Sequence, residues 1–190
     1  MKKMMTTVAV IVGALGVVVT VLALIAPNQI SIQTRSVVKA SPEEVYDELR
    51  YLGHFSQWSP FLVADPAQKN EVRGTDGVVG ATFHWEGVAE ESIGKQVLTA
   101  LEPNQRVYFE CEITAPYTSY PSFDYSLTPL DDGTEVVQQF EVGLKFPTNI
   151  VAMLIGLKGK MSEVNQLGMK RFKAYTENLE STAMVETFQP

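Results

Sequence analysis

The sequence predicts an α+β protein. A curved antiparallel sheet of six or more strands wraps around a long C-terminal helix, with two short helices after the first strand and one N-terminal transmembrane helix. Three observations lead there. An uncharged apolar run, Thr6 to Ala26, stands at the start of the chain. Between about Glu71 and Lys145, apolar and polar residues alternate with the period of a half-buried strand. From Pro147 onward, apolar residues recur at threes and fours, the spacing of one helix face.

The first run reads TTVAVIVGALGVVVTVLALIA. At about 1.5 Å per residue it spans roughly 31 Å, the thickness of a hydrocarbon core. Gly13 and Gly16 are ordinary in such helices. A cleaved signal peptide is the rival reading. Its small-x-small cleavage site would fall at Leu24-Ile25-Ala26, with the wrong residue at one position and Pro27 at the cut, so an uncleaved anchor is expected. Lys2, Lys3 and the α-amine favour a cytoplasmic N-terminus, and Arg35 and Lys39 weaken that bias without reversing it. The anchor is therefore assigned to residues 1–28, contacting the bilayer through Thr6 to Ala26, with the following domain outside the cytoplasm.

The soluble part is expected over residues 29–181, with a tail at 182–190. Gln29 to Val38 alternates β-branched and polar residues and reads as a strand. Ser41-Pro42-Glu43-Glu44 has the form of a capping box with proline in the first turn. Val45, Tyr46 and Leu49 give the helix that follows its apolar stripe, and Gly53 is expected to stop it. HFSQWSP suggests a second short helical turn ended by Pro60. Strands follow at Val79–Glu86, Glu91–Leu101, Arg106–Thr114, Tyr120–Leu130 and Glu135–Lys145, separated by turn chemistry at Glu86-Gly87, Glu102-Pro103-Asn104 and Asp131-Asp132-Gly133. Glu90-Glu91 reads as a solvated corner. The final helix, running to about Ser181, carries its stripe at Ile150, Leu154, Leu157, Met161, Val164, Gly168, Phe172, Tyr175 and Leu179, with Gly156 and Gly159 as possible breaks.

Composition narrows the function. Hydrophobic content of 45% against 19% charged excludes global disorder. A net charge of −7 excludes a general nucleic-acid binder, which needs a basic surface. One cysteine, Cys111, and two histidines, His54 and His84, leave no donor set for a metal centre. No cofactor is expected, because the chain has no phosphate-binding glycine loop and no nucleophile elbow.

Several stretches, taken in order, resemble the SRPBCC superfamily, the START-like helix-grip fold of polyketide cyclase/dehydrase-like and lipid-transfer proteins. They are Ala40-Ser41-Pro42-Glu43-Glu44-Val45-Tyr46, Trp58-Ser59-Pro60, Trp85-Glu86-Gly87, Asp132-Gly133-Thr134 and Leu167-Gly168-Met169-Lys170-Arg171-Phe172-Lys173. The resemblance covers about Ile30 to Glu180. It implies a hydrophobic pocket between the sheet and the last helix. The anchor lies outside the family core and points to ligands or partners near a membrane.

Strand parity sorts the side chains of such a pocket. Phe83, Trp85, Val107, Phe109, Cys111, Ile113, Phe123, Tyr125, Leu127, Val136, Gln138, Phe140, Val142 and Leu144 should face the helix. The expected ligand-binding set is Trp58, Phe83, Trp85, Phe109, Cys111, Phe123, Tyr125, Gln138 and Phe140, with Leu157, Met161, Val164 and Gly168 from the helix. Each also suits plain core packing. Gly168 leaves room either for a ligand or for close helix–sheet packing, and Trp58 either lines the cup or plugs its end. His84 and Glu86 share a strand face and form the nearest thing to an acid–base pair, with Tyr125 as a third candidate. The apolar parity of the opposite face directs His84 and Glu86 to solvent. Lys158, Lys160, Lys170, Arg171 and Lys173 make the last helix locally basic, which suits solvation or contact with anionic headgroups.

Three functions follow. The first is membrane-anchored binding or transfer of a hydrophobic small molecule, lipid, isoprenoid or polyketide-like. The second is a cyclase/aromatase-like enzyme. The third is a protein-interaction module with a filled core.

Overall fold

The computed structural model describes residues 2–88 and 91–187. The first element is helix α1, Lys2–Ile25. Its Met5–Ile25 stretch is long and apolar enough to cross a membrane, and its most apolar window is buried against nothing else in the fold. Thr20 Oγ1 donates to Gly16 O at 2.8 Å, so this hydroxyl is satisfied inside the helix.

Strand β1, Gln29–Val38, follows at once, and alternate residues Ile30, Ile32 and Thr34 turn inward. Helix α2, Pro42–Arg50, starts on the expected capping box: Ser41 Oγ accepts from Glu44 N at 3.2 Å, and Glu44 Oε2 accepts from Ser41 N at 2.8 Å. α2 ends at Arg50, three residues before the expected stop at Gly53. A 3₁₀ turn, Leu52–His54, runs into α3, Phe55–Trp58. The Asp76 carboxylate accepts from Leu52 N at 2.7 Å and Gly53 N at 3.0 Å, satisfying the first amides of that 3₁₀ turn. Pro60 opens a further helix, α4, Pro60–Ala64, rather than only closing α3. Ser59 supplies its N-cap, and proline at the first position has no amide to lose.

Six more strands complete an all-antiparallel sheet: β2 Lys69–Arg73, β3 Thr82–Glu86, β4 Ile93–Glu102, β5 Arg106–Ala115, β6 Pro121–Leu130 and β7 Gly133–Gly143. Their spatial order is β1-β7-β6-β5-β4-β3-β2. Pairing of β1 with β7 brings the chain back to its first strand. The β6–β7 turn needs Gly133 (φ +149°), because a side chain there would collide with the Val38 carbonyl oxygen. A register shift between Leu98 and Ala100 bends the β4–β5 pair, one source of the sheet's curvature.

The final helical region is two helices. Gly156 (φ +65°) separates α5, Thr148–Leu154, from α6, Leu157–Thr187. The expected tail at 182–190 enters α6 as far as Thr187, and residues 188–190 lie outside the described ones. So do Glu90 and the side chain of Leu179. Leu154, expected on the inner stripe, is exposed, because the break at Gly156 rotates α5 out of phase with α6. Among the described side chains of α6 the buried positions are Asn165, Gly168, Met169, Phe172 and Thr176, while Leu157, Met161, Val164 and Tyr175 are half-buried.

α6 crosses the concave face and divides its contacts between two apolar clusters. The larger cluster joins α2, Trp58, Phe83, Phe109, Tyr125, Met169 and Phe172. The smaller holds Ile30, Ile32, Phe140 and Val142, with Leu157 and Met161 of early α6 packed partly against it.

Candidate functional site

Pairing registers place the inward side chains in rows across the concave face. One row runs Ile32, Phe140, Phe123, Phe109, Leu98 from β1 through β7, β6 and β5 to β4. The next, toward α2, runs Thr34, Gln138, Tyr125, Val107, Leu101. On the other side, Cys111, Gln96 and Phe83 stand in register on β5, β4 and β3. Every residue that parity assigned to the inner face lies there, buried or half-buried.

The aromatic members touch one another. Phe123 and Phe140 have ring centroids 5.1 Å apart, and Phe109 meets Tyr125 edge-on at 6.1 Å. Trp58 sits where a plug would, edge-on to Phe55 at 4.9 Å and to Phe172 at 5.0 Å. Arg171 Nε donates to Trp58 O at 3.1 Å, fastening α3 to α6. Lys173 bonds Glu177 Oε1 at 2.7 Å and the Val37 carbonyl. Both cations are thus committed to the fold, while Lys158, Lys160 and Lys170 are exposed. Trp85 is half-buried and lies over Gly94, where a side chain would strike the indole.

Polar groups interrupt this apolar face. Gln138 Nε2 donates to Tyr125 Oη at 2.8 Å. Gln138 Oε1 is buried and has no partner among the described residues. Nor has Asn165 Nδ2, buried on α6, or Trp58 Nε1. Asn165 lies one turn before Met169, which with Thr34, the register partner of Gln138, borders a groove of about 230 Å³ between β1 and α6. Arg35, Ser36, Gln166, Lys170 and Lys173 complete that groove, and none of the residues expected to bind ligand lines it. Asn165 and Gln96 are inward amides that the sequence reading passed over. Their signal was weak, since a lone amide among apolar positions looks like surface.

Burial holds Cys111 and Tyr125, on the inner face, in their neutral forms. Burial pushes the Cys111 thiol up to about 12, so it stays protonated and packs as a small apolar group. Burial also raises the Tyr125 phenol well above its ordinary value, against the opposing hydrogen bond from Gln138, and keeps it neutral. His84 faces away from the cup, as parity expects. Its Nε2 engages Thr82 Oγ1 at 2.9 Å, and burial, helped by Arg73, lowers its pKa. Glu86 is exposed. Of the three weak catalytic candidates, only Tyr125 points inward. Away from the cup, the fold brings His54 Nδ1 within 2.8 Å of Glu48 Oε2, and Tyr175 lies near the same carboxyl. Glu48 lies six residues before His54, and the turn after α2 closes that gap.

A side chain at Gly168 would meet helix α4 rather than the sheet. A Cβ there would stand 3.2–3.3 Å from Pro60 Cγ and Cδ, so the glycine serves close packing of α6 on α4. Gly168→Leu should therefore destabilise the fold by about 1–3 kcal/mol through overpacking. Denaturant unfolding checks this, and unchanged stability would refute the packing role.

A family model described as polyketide cyclase/dehydrase and lipid transport matches residues 29–177. Solved structures agree on the fold. Protein CV1439 from Chromobacterium violaceum is 18% identical, with TM-score 0.58 over 78% of this chain and 97% of that one. SA2116 from Staphylococcus aureus is 12% identical, with TM-score 0.59 over 81% and 96%. The di-domain ARO/CYC protein StfQ of the steffimycin biosynthetic pathway is 12% identical, with TM-score 0.60 over 80% of this chain and 52% of its own. No curated protein matches.

Proposed function

The chain belongs to the polyketide cyclase/dehydrase and lipid transport family, and from that premise we propose that it binds or transfers an apolar small molecule between its sheet and α6, held beside a bilayer by Thr6–Ala26. One observation carries the reading. Two amides on opposing walls, Gln138 of the sheet and Asn165 of α6, each bury a polar atom with no partner among the described residues. Leaving such atoms unpaired costs about 1–3 kcal/mol each, and a filled structural core has no use for them. A ligand hydroxyl donating to Gln138 Oε1, or a ligand carbonyl or hydroxyl accepting from Asn165 Nδ2, removes that cost. The surrounding Phe109, Phe123, Phe140, Met161 and Val164 favour an apolar body of lipid, isoprenoid or polyketide-like kind. Ring contacts across the face mean that such a body enters by displacing side chains.

The test is native mass spectrometry of the gently purified protein beside an organic extract. A retained apolar compound supports the reading and names its class. The variant Asn165→Leu should weaken retention roughly tenfold while leaving stability about equal, since a buried amide nitrogen without a partner among the described residues is gone. A clean apo mass after exposure to lipid extracts would favour the interaction module with a filled core.

A cyclase-like reaction is the second reading, favoured by one observation. Tyr125 presents a neutral phenol to the interior, able to donate a hydrogen bond to a substrate carbonyl. Loss of turnover in Tyr125→Phe with substrate binding retained would support it over carriage.

A further inference from the structure

The ends of the strands divide the domain into two unlike poles. Gln29 pairs with Gly143, Pro121 with Val142, Ala115 with Ile93, and Ile93 with Glu86. These pairings bring the β3–β4 and β5–β6 loops and the β7–α5–α6 connection to the pole where the chain leaves α1. Large apolar side chains stand free in water there: Tyr117 is 80% exposed, Tyr120 67%, Phe146 62% and Leu154 67%, with Val151 and Ile155 beside them on and after α5. The opposite pole carries the Asp131-Asp132 turn, Glu102 and the exposed Glu43 and Glu44 of α2.

α5 is fixed relative to the exit of α1. Asn149, buried on its inner face, donates through Nδ2 to Asn28 Oδ1 at 3.2 Å and Ala26 O at 3.5 Å. Leu144 N donates to Asn28 O at 2.7 Å. The inner residues Ile150 and Ala152 are buried, so the outer face bearing Val151 and Leu154 projects beside the point where an anchor meets the headgroups. Lys145, Lys158 and Lys160 are exposed around it, and Glu86 and Glu91 are the acidic members at the β3–β4 corner. Tyrosines with an apolar ring and a polar tip suit a membrane interface, and lysines suit its phosphates.

We propose that this pole is a second membrane-contact surface, which rests in the interface of the same bilayer that α1 crosses and turns the early-α6 end of the cup toward lipid. The proposal rests on reading α1 as an anchor. Its occupant is the bilayer itself, by continuity with α1 and by the lysines around α5. Ile30, Phe140, Leu157 and Met161, the smaller apolar cluster, lie at this end. An apolar ligand passing between bilayer and cup therefore need not cross water.

The full chain reconstituted in phosphatidylcholine–phosphatidylglycerol vesicles tests this. Phe146→Trp and Tyr117→Trp place a reporter on the pole, Leu130→Trp places one on the opposite pole, and the native Trp58, buried, and Trp85, half-buried, form a constant background. Vesicles with brominated acyl chains should quench most of the emission added at 146 and 117 and little of that added at 130. Equal, weak quenching at all three positions, in protein that resists alkaline extraction, would overturn the proposal and leave the anchor standing. Protein released by alkaline extraction would overturn both.

Discussion

Phe172→Ala should be the most destabilising single truncation in the domain, at about 3–5 kcal/mol. Phe172 is 0% exposed, and its ring lies 5.0 Å from that of Trp58. It joins the last helix to α3 and to the larger cluster, so its removal opens a cavity where three elements meet. At about 2–4 °C per kcal/mol for a domain of this size, Tm should fall by roughly 6–20 °C. Leu130→Ala, at an exposed position, should stay within about 0.5 kcal/mol. Chemical denaturation of both variants in the same detergent decides the matter. A loss below about 1 kcal/mol for Phe172→Ala would mean that α6 is not held mainly through this contact.

Deleting residues 1–28 should move the protein wholly from the membrane fraction to the soluble one. The Met5–Ile25 stretch carries no charge, and its most apolar window finds no cover in the fold. Water is therefore a poor environment for it, whereas a hydrocarbon core of about 30 Å matches its length. The full chain should resist alkaline extraction, and the mass of the mature protein should include this helix. A mature N-terminus after Ala26, with protein in the soluble fraction, would identify the helix as a cleaved signal and withdraw the bilayer from the functional reading.

Some elements were legible because one periodicity governs them. β1, β5, β6 and β7 each bury alternate residues, so parity alone put Phe109, Tyr125, Gln138 and Phe140 on the inner face. Ser41 and Glu44 announced α2 because a capping box is a purely local contact. β2 escaped, since an edge strand with all but Val72 exposed has no alternation to read. The break at Gly156 was visible only as a possibility, because a glycine within a helical pattern need not adopt a positive φ.

The site was half legible for a related reason. Parity names a face but not a neighbour, so it found Gln138 and missed Asn165, an amide within an otherwise apolar stripe. It offered a ligand or the sheet as the neighbour of Gly168, whereas the fold sets Pro60 there, a residue more than a hundred positions away.

The chain's own pattern determined the apolar N-terminal helix, the antiparallel sheet, the faces of its strands and the amphipathic last helix, because each depends on residues a few positions apart. Tertiary structure alone decided the rest. It set which amides are buried without partners, how His54 meets Glu48, and which loops share a pole with the exit of α1. Those follow from strand pairing across the whole chain, and burial and exposure are properties of the assembled surface that no local spacing encodes.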